Sequence, residues 1–296
     1  MSDTKAAVPV STAAARKRSQ WAEVWRRLNH NKMAMFGLGV IVIIILSAIF
    51  ADVIAPYDYR IQDLNNISQK PGGMHFLGTD DLGRDILSRI IHGTRISLLV
   101  GFVSVSISVM IGGSLGAISG YYGGRLDNAI MRAMDVLLAI PSILLAIAIV
   151  SAFGGGIINV MIAVGISSVP SYARIVKASV ISVKENEFIE AARAIGASDF
   201  RIIIKHILPN SMAPIIVQST LGVAGAILSA AGLSFIGMGI QPPTPEWGAM
   251  LSNGRYIIRT AWHVATFPGL AIMITIFALN LLGDGLRDAL DPRLKS

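Results

Sequence analysis

The chain has 296 residues, of which 53% are hydrophobic and only 15% are charged. A soluble domain carries about a quarter charged residues, so this composition indicates a membrane protein and argues against a soluble enzyme or binding module. The absence of cysteine excludes disulfides, thiolate metal sites and cysteine nucleophiles.

Residues 1–32 form a polar, basic segment ahead of the first apolar run. A secretory signal peptide would bring its apolar region earlier and follow it with a small-residue cleavage site, so we predict that this tail stays on the protein. Its last part, Gln20–His30, has helical spacing, with Trp21, Trp25 and Leu28 at i, i+4 and i+7. This pattern fits an interfacial helix at the lipid headgroups or a plain juxtamembrane helix without a function of its own.

Apolar runs in the rest of the chain provide six crossings of about 20 residues each. The uncharged run Val136–Ala173 is too long for one crossing and contains the break Phe153-Gly154-Gly155-Gly156, so we divide it into the third and fourth spans. The other predicted spans are Met33–Ala51, Ile96–Gly124, Ala213–Phe235 and Ala265–Leu282. Three glycines of the second span predict close packing against another helix: Gly112, Gly113 and Gly116.

These spans predict an all-α membrane protein with a first transmembrane segment over 33–55, an external segment over 56–95, and a core with five transmembrane helices over 96–296. The distribution of Lys and Arg predicts its orientation, because cytoplasmic loops are enriched in basic residues. With the N-terminus inside, eighteen basic residues are cytoplasmic and seven are external. Both termini are then cytoplasmic. The net charge of +7 lies at the ends of apolar runs, which argues against nucleic-acid binding.

The external stretch Phe76–Arg89 (FLGTDDLGRDILSR) contains three acidic residues, Asp80, Asp81 and Asp85. We predict a capped turn, in which Thr79 or Asp80 starts a helix and Asp81 lies in its first turn. A catalytic pair of carboxylates is the alternative. A metal site has less support, because His75 is the only nearby imidazole.

Three further residues lie at boundaries of the predicted spans. Asp135 begins the third span near its cytoplasmic end and is predicted to pair with a basic neighbour. Pro141 is expected to kink the same helix. Trp247 follows a proline-rich external stretch and suits either the aromatic belt of the membrane interface or a surface that meets an external protein.

A charged, helix-prone insert, EAARAIGASDFRIIIKHILPN (Glu190–Asn210), lies between the fourth and fifth spans, within a cytoplasmic loop over 184–210. Two apolar stripes are predicted on its helices, Phe188, Ala191, Ala192 and Ile195 on the first and Phe200, Ile203, Ile204 and Ile207 on the second. Gly196 breaks the first helix with a positive φ, Ser198 caps the second, and Pro209 ends it. Such a helix–turn–helix either packs on its own protein as a surface loop or docks as a peg into a soluble partner.

The insert resembles the EAA loop of ABC-importer permeases, which has a glutamate–alanine–alanine triplet, a glycine at a fixed offset and a terminal Ile-x-Leu-Pro or Ile-Leu-Pro. In that family the loop forms coupling helices that sit in a cleft of the ATPase subunit. The resemblance implies a type I importer permease fold with six transmembrane helices and cytoplasmic N- and C-termini. It also implies an ATPase-coupling role for Glu190, Ala191, Ala192, Gly196, Ile207, Leu208 and Pro209.

Four other stretches narrow the resemblance, which covers about residues 20–296. They resemble the permeases of dipeptide, oligopeptide, glutathione and nickel importers, of the type with a longer polar N-terminus: Phe76–Arg89, Asp135–Pro141, Gln241–Leu251 and Asn280–Lys295. This implies a bacterial inner-membrane subunit that forms half of a pathway for short peptides, with glutathione or nickel as the alternative cargo. The implied partners are a second homologous permease subunit, two cytoplasmic ATP-binding subunits, an external substrate-binding protein and membrane lipid.

Two catalytic motifs are absent from the sequence, namely the P-loop G-x-x-x-x-G-K-[ST] and H-E-x-x-H. We therefore predict a non-catalytic permease subunit that needs no cofactor, with ATP hydrolysis in its partners. A membrane-embedded enzyme would need acids, bases or metal ligands inside the spans. An ion-coupled secondary transporter would favour mid-membrane carboxylates and inverted repeats, and the sequence shows neither.

Overall fold

The computed structural model describes residues 20–290, in which helices are joined by loops. The α-helices are α1 (Gln20–His30), α2 (Lys32–Ile49), α3 (Ala51–Ile54), α4 (Ile86–Tyr122), α5 (Gly124–Leu138), α6 (Ser142–Phe153), α7 (Ile157–Lys184), α8 (Glu187–Ala194), α9 (Asp199–Ile202), α10 (Leu208–Asn210), α11 (Met212–Phe235), α12 (Trp247–Gly254) and α13 (Trp262–Leu290). A π-helical turn, Ile203–Ile207, joins α9 to α10, and a 3₁₀ turn, Arg255–Ile257, follows α12.

Five helices are long and apolar enough to cross a bilayer: α2, α4, α7, α11 and α13. The pair α5–α6 is bent by 87° at its break and brings the number to the predicted six if it counts as one crossing. Pro141 lies at this break, immediately before α6. Its ring fixes φ and prevents a continuous helix, which accounts for the bend. The predicted kink is therefore confirmed.

The predicted pairing of Asp135 is also confirmed. Arg174 on α7 donates to the Asp135 carboxylate at 2.6 Å, and both side chains are more than half exposed. An exposed ion pair of this kind contributes about 0–1 kcal/mol. It orients α5 against α7 and adds little to stability.

The central contact of the fold is between α4 and α7, which run parallel. Gly112 of α4 lies against Val169, and Gly116, one turn later, lies against Ala173. Small residues spaced by four let two helix backbones approach closely in a membrane. Hydroxyl groups reinforce the contact, since Ser108 Oγ donates to the carbonyl of Gly165 at 2.7 Å. The predicted close packing is confirmed for Gly112 and Gly116.

The remaining spanning helices surround this pair. Helix α11 runs antiparallel to α4, with Gly101 of α4 packed against Val223 and Ile227. Helix α13 packs against both α2 and α11, and Gly37 of α2 lies against the backbone of Ala278. The N-terminal helix α1 is joined to this group through a buried cluster of Leu28, Ala34 and Ala289, which places both described ends of the chain at the same end of the bundle.

The second span begins at Ile86 rather than at the predicted Ile96. Its cap is Asp85, whose carboxylate accepts a hydrogen bond from the Ser88 backbone N–H at 2.7 Å, so the prediction of a cap at Thr79 or Asp80 was wrong. Charged residues in the first turns of α4 have partners outside the helix. One is Arg95, which pairs with Asp52 of α3 at 2.9 Å. The hydrogen bond from Arg95 lowers the pKa of the Asp52 carboxyl.

The acidic stretch ahead of α4 is a packed turn. Asp80 is buried, accepts the backbone N–H groups of Leu82 and Arg84, and forms ion pairs with the side chains of Arg84 and Arg89 at 2.7 and 3.5 Å. The Asp85 carboxylate accepts a hydrogen bond from the Ser88 backbone N–H and lies 2.9 Å from Nδ1 of His75. These structural partners occupy the two buried carboxylates and favour the packing role over a catalytic pair.

Trp247 is buried, so both predicted positions, the aromatic belt and an external docking surface, were wrong. Its indole Nε1 donates to the carbonyl of Ile90 at 3.1 Å, and its ring lies against Gly93 of α4. Glu246 starts α12, and its carboxylate accepts the backbone N–H groups of Gly248 and Ala249. Helix α12 therefore folds back into the bundle and carries Trp247 inward.

The α4–α7 contact generates a stability prediction. A Cβ atom at Gly116 would collide with the backbone carbonyl oxygen of Ala173, whereas a Cβ at Gly113, on the same turn, has no neighbour closer than 4.0 Å. Gly116→Ala should therefore lower the free energy of unfolding by about 1–3 kcal/mol, the usual cost of overpacking. Gly113→Ala should leave it almost unchanged. Thermal unfolding of the two variants in detergent measures the difference, and equal melting temperatures would contradict the packing described here.

Candidate coupling segment and central cavity

The insert after the fourth span folds as two short helices joined by a turn at Gly196. Helix α8 ends at Ala194, and Gly196 has φ of +80°. Its backbone N–H donates to the carbonyl of Arg193, and the next N–H, of Ala197, donates to the carbonyl of Ala192. This is a glycine-capped helix end, in which a left-handed residue satisfies the last carbonyls. The predicted positive φ is confirmed.

The second half of the insert differs from the prediction in two ways. Ser198 occupies the N-cap position of α9, but its side chain makes no capping hydrogen bond. Pro209 does not end the helix, which runs from Asp199 through the π-helical turn to Asn210. Pro209 comes two residues after the π-helical turn Ile203–Ile207, and a local π-helical adjustment is one way in which a helix accommodates a residue without a backbone N–H.

The insert is held to the ends of α4 and α7 by a buried apolar cluster. Ile189 and Ile202 are fully buried, as are Val176 and Val180 of α7. Ala192 and Ile207 belong to the same cluster. Of the predicted first stripe, Ala192 is buried against the bundle, whereas Phe188, Ala191 and Ile195 are exposed. The helix is rotated so that Ile189 and Ala192, spaced by three, face the bundle.

Polar contacts at Tyr121, the penultimate residue of α4, fix the position of the insert. Its hydroxyl donates to Asp199 at 2.6 Å, and its backbone carbonyl accepts Lys184. The guanidinium of Arg193 lies over its ring, 5.5 Å from the centroid. Neither Ile189 nor Tyr121 was identified from the sequence. The i, i+3 spacing of Ile189 and Ala192 was the available signal for Ile189. No sequence pattern indicated Tyr121.

The face of the insert turned away from the bundle is apolar, and we call it the docking face. Ile195 is 85% exposed and Phe200 is 76% exposed, with Phe188 and Ile204 about half exposed. Glu190 and Ala191 are exposed on the same helix as Phe188. Exposed aliphatic and aromatic side chains on a charged loop outside the membrane are typical of a surface that another protein covers.

The predicted coupling residues fall on both sides of the insert. Ala192 and Ile207 are buried against the bundle and Leu208 is partly buried, while Glu190, Ala191, Gly196 and Pro209 are exposed. They lie in one segment, but only part of the set can meet a partner directly. The buried members hold the segment in place.

A second candidate site is a cavity of about 380 Å³ at the middle of the bundle. It lies between the centres of α4, α7 and α11, and the bend at Pro141 brings the start of α6 to it. Its lining carries hydroxyl and amide groups and no charged side chain: Ser104, Ser108, Ser142, Ser168, Ser171, Tyr172, Gln218 and Ser229 are its polar members. Its polar groups are therefore neutral donors and acceptors of hydrogen bonds.

Tyr172 forms one wall of this cavity and is almost fully buried. Its hydroxyl donates to the carbonyl of Gln218 on α11 at 3.1 Å. Gly222 lies so close to this hydroxyl that a Cβ there would collide with it. The contact ties α7 to α11 at the wall of the cavity.

A bundle of five membrane-spanning helices and the bent pair α5–α6, with a helical insert between α7 and α11, defines the class of this protein, a membrane permease. The sequence matches the family described as "binding-protein-dependent transport system inner membrane component" over residues 112–296. It also matches the "N-terminal TM domain of oligopeptide transport permease C" over residues 19–71. The chain belongs to the first of these families, the inner-membrane components of binding-protein-dependent transport systems, and is a multi-pass inner-membrane permease of the ABC-importer type.

Several relatives are similar over nearly the whole chain. The dipeptide transport system permease protein DppC of Alkalihalophilus pseudofirmus is 50% identical, and the match covers 94% of this chain and 91% of the relative. The glutathione transport system permease protein GsiD of Escherichia coli is 51% identical, with 94% of this chain and 92% of the relative covered. The di/tripeptide transport system permease protein DppC of Pseudomonas aeruginosa is 48% identical over 93% of this chain and 92% of the relative.

The fold is also similar to a solved structure. The comparison with inward-facing conformations of the MetNI methionine ABC transporter gives a TM-score of 0.57 at 20% identity, and it covers 69% of this chain and 96% of that one. At this identity the similarity concerns the fold. Permeases of this family work with ATP-binding and substrate-binding partners.

Proposed function

We propose that this permease forms half of the translocation pathway of an ATP-driven importer of short peptides, together with a second, homologous permease subunit. Two cytoplasmic ATP-binding subunits hydrolyse ATP, and an external binding protein delivers the cargo. The chain itself performs no catalysis. The observation that carries the proposal is the docking face: an apolar surface on a short, rigidly held insert, aimed away from the protein's own core.

The proposed orientation places both termini in the cytoplasm. It is supported by the eighteen-to-seven distribution of basic residues and by the packing of α1 on the last turns of α13. In this orientation the insert meets the ATP-binding subunits. Phe188, Ile195, Phe200 and Ile204 fill a cleft on the partner, and Glu190 contributes a charge contact at its rim.

The proposed cargo is a short peptide. A cavity that is lined by hydroxyl and amide groups offers hydrogen bonds to peptide N–H and C=O groups without selecting side-chain charge. The names of the relatives favour dipeptides and tripeptides. Glutathione, itself a small peptide, is the second candidate, because a glutathione permease is as similar to this chain as the dipeptide permeases are. Specificity is then set chiefly by the external binding protein.

The coupling role is tested by Gly196→Asp. At φ of +80°, any side chain costs about 1–2 kcal/mol of backbone strain, but a Cβ there meets no atom of this chain within 4 Å. The permease should therefore insert normally, while the added carboxylate disturbs the docking face. Co-purification of the ATP-binding subunits and peptide uptake should both fall by about tenfold or more, which corresponds to a loss of about 1.4 kcal/mol of binding.

The matched control for this variant is Gly154→Asp, in the loop between α6 and α7. Gly154 has φ of +89° and equally open surroundings, so its substitution produces similar strain far from the insert. Full uptake and full ATPase association in Gly196→Asp would show that the insert is an ordinary surface loop. Equal losses in the two variants would assign the effect to strain rather than to docking.

The pathway is tested by single cysteines, since the chain contains none of its own. Ser171→Cys and Ser229→Cys line the cavity, whereas Ser114→Cys lies on an exposed face of α4 outside it. In the assembled transporter, a water-soluble thiol reagent should modify both cavity cysteines. Transported dipeptide should slow that modification severalfold and leave Ser114→Cys unaffected. Labelling is measured by the mass of this subunit. Modification that dipeptide does not change at either cavity position would contradict the assignment of the pathway.

A further inference from the structure

A second cavity, of about 530 Å³, lies at the end of the bundle where α1 meets the last turns of α13. One wall consists of Arg26, Arg27, His30 and Asn31, and the opposite wall includes Gly285 and Asp288. This cavity is separate from the docking face and from the central cavity. Neither the coupling role nor the pathway uses it.

The wall provided by α1 is held in a fixed position. Leu28 is buried between Ala34 of α2 and Ala289 of α13. Asn31 caps α2, with its side-chain oxygen accepting the backbone N–H of Ala34 at 3.1 Å. These contacts hold the C-terminal part of α1, which carries Arg26 and Arg27, against the start of α2 and the last turns of α13.

Positive charge prevails around the cavity. Arg26 and Arg27 both pair with Glu23, at 2.8 and 3.4 Å, and the hydrogen bond from Arg26 lowers the pKa of this carboxyl. Lys32 follows at the start of α2. In the lining itself, two permanently basic side chains, Arg26 and Arg27, stand against one acidic side chain, Asp288.

The surface beside this cavity is suited to lipid. Trp25 on α1 is 56% exposed, and Met33 and Phe36 on the first turns of α2 are exposed to a similar degree. Helix α2 is a membrane-spanning helix, so its start lies at the boundary between headgroups and acyl chains. Exposed tryptophan beside arginine at such a boundary is the composition that anchors a protein at a membrane interface.

We propose that this cavity binds the headgroup of an anionic phospholipid that carries a hydroxyl group, of the phosphatidylglycerol type. The lipid phosphate accepts charge-assisted hydrogen bonds from Arg26 and Arg27. The headgroup hydroxyls donate to the Asp288 carboxylate on the opposite wall. The acyl chains run along Met33 and Phe36. The bound lipid thereby bridges α1 and α13, and it joins the first span to the core.

The test measures lipid retained by the assembled transporter in nanodiscs of phosphatidylcholine that contain a minor fraction of phosphatidylglycerol. After exchange into mild detergent, native mass spectrometry counts the phosphatidylglycerol bound to this subunit. The wild-type chain should retain it. Arg26→Gln with Arg27→Gln should weaken its retention by about tenfold or more, because the phosphate contacts are lost. The matched control, Arg125→Gln with Arg132→Gln, removes the same charge from α5 and should retain the lipid fully.

Further measurements separate a lipid site from a simple anion site. Asp288→Asn should lower the preference for phosphatidylglycerol over phosphatidic acid, which lacks the headgroup hydroxyls. Displacement of the lipid by millimolar inorganic phosphate would identify an ion site and overturn the proposal. Equal retention by the two double variants would overturn it as well. If the double variant does not assemble, Arg26→Gln alone carries the test, because that side chain is 65% exposed and its loss does not disturb packing.

Discussion

The close approach of α4 and α7 through the stripe Gly112, Gly116 and Gly120 determines the positions of the helical insert and of the central cavity. Each of these glycines lies against the backbone of α7, so the two helices form one rigid rib through the membrane. In lipid there is no hydrophobic drive between apolar helices, and contact of this kind depends on small residues and on hydroxyl–carbonyl hydrogen bonds. Ser104 and Ser108 provide such bonds to α7.

The rib connects the two candidate sites. Its middle carries Ser104, Ser108 and Tyr172, which line the central cavity. The C-terminal ends of its two helices carry Tyr121 and Val180, against which the insert packs. If the insert is the coupling segment, we expect its displacement to reach the cavity walls through these packed helices rather than through a flexible loop. The hydrogen bond from Tyr172 joins α11, a third wall of the cavity, to the same pair of helices. Rigid-body motion of packed elements is a general means of converting a local binding event into a distant change.

The sequence was informative wherever one physical cause acted locally. Long apolar runs located the spans, and a glycine between two helical stripes located the turn at Gly196 and its left-handed backbone. It was misleading where the cause was tertiary. The first turns of α4 carry charged residues and were therefore left out of the predicted span. The structure pairs one of them, Arg95, with Asp52, 43 residues away. Trp247 looks like an interfacial residue until its partner Ile90 is known, 157 residues away.

The same limit applies to the sites. The neighbouring residues Phe188 and Ile189 are equally apolar, and only the ends of α4 and α7 decide that Ile189 is buried. The serines of the central cavity lie on four helices, and no local spacing in the sequence predicts that they come together. By contrast, the helix–turn–helix insert was located correctly, because its residues are consecutive and its charge differs sharply from that of the flanking spans.

The role of the insert as the joint with the ATP-binding subunits can be measured by hydrogen–deuterium exchange on the permease pair with and without those subunits. We expect strong protection of the backbone amides of α8 and α9 on assembly, with residues Phe188–Ile204 protected more than the external loops. Unchanged exchange in this segment, together with protection at another cytoplasmic surface, would contradict that role.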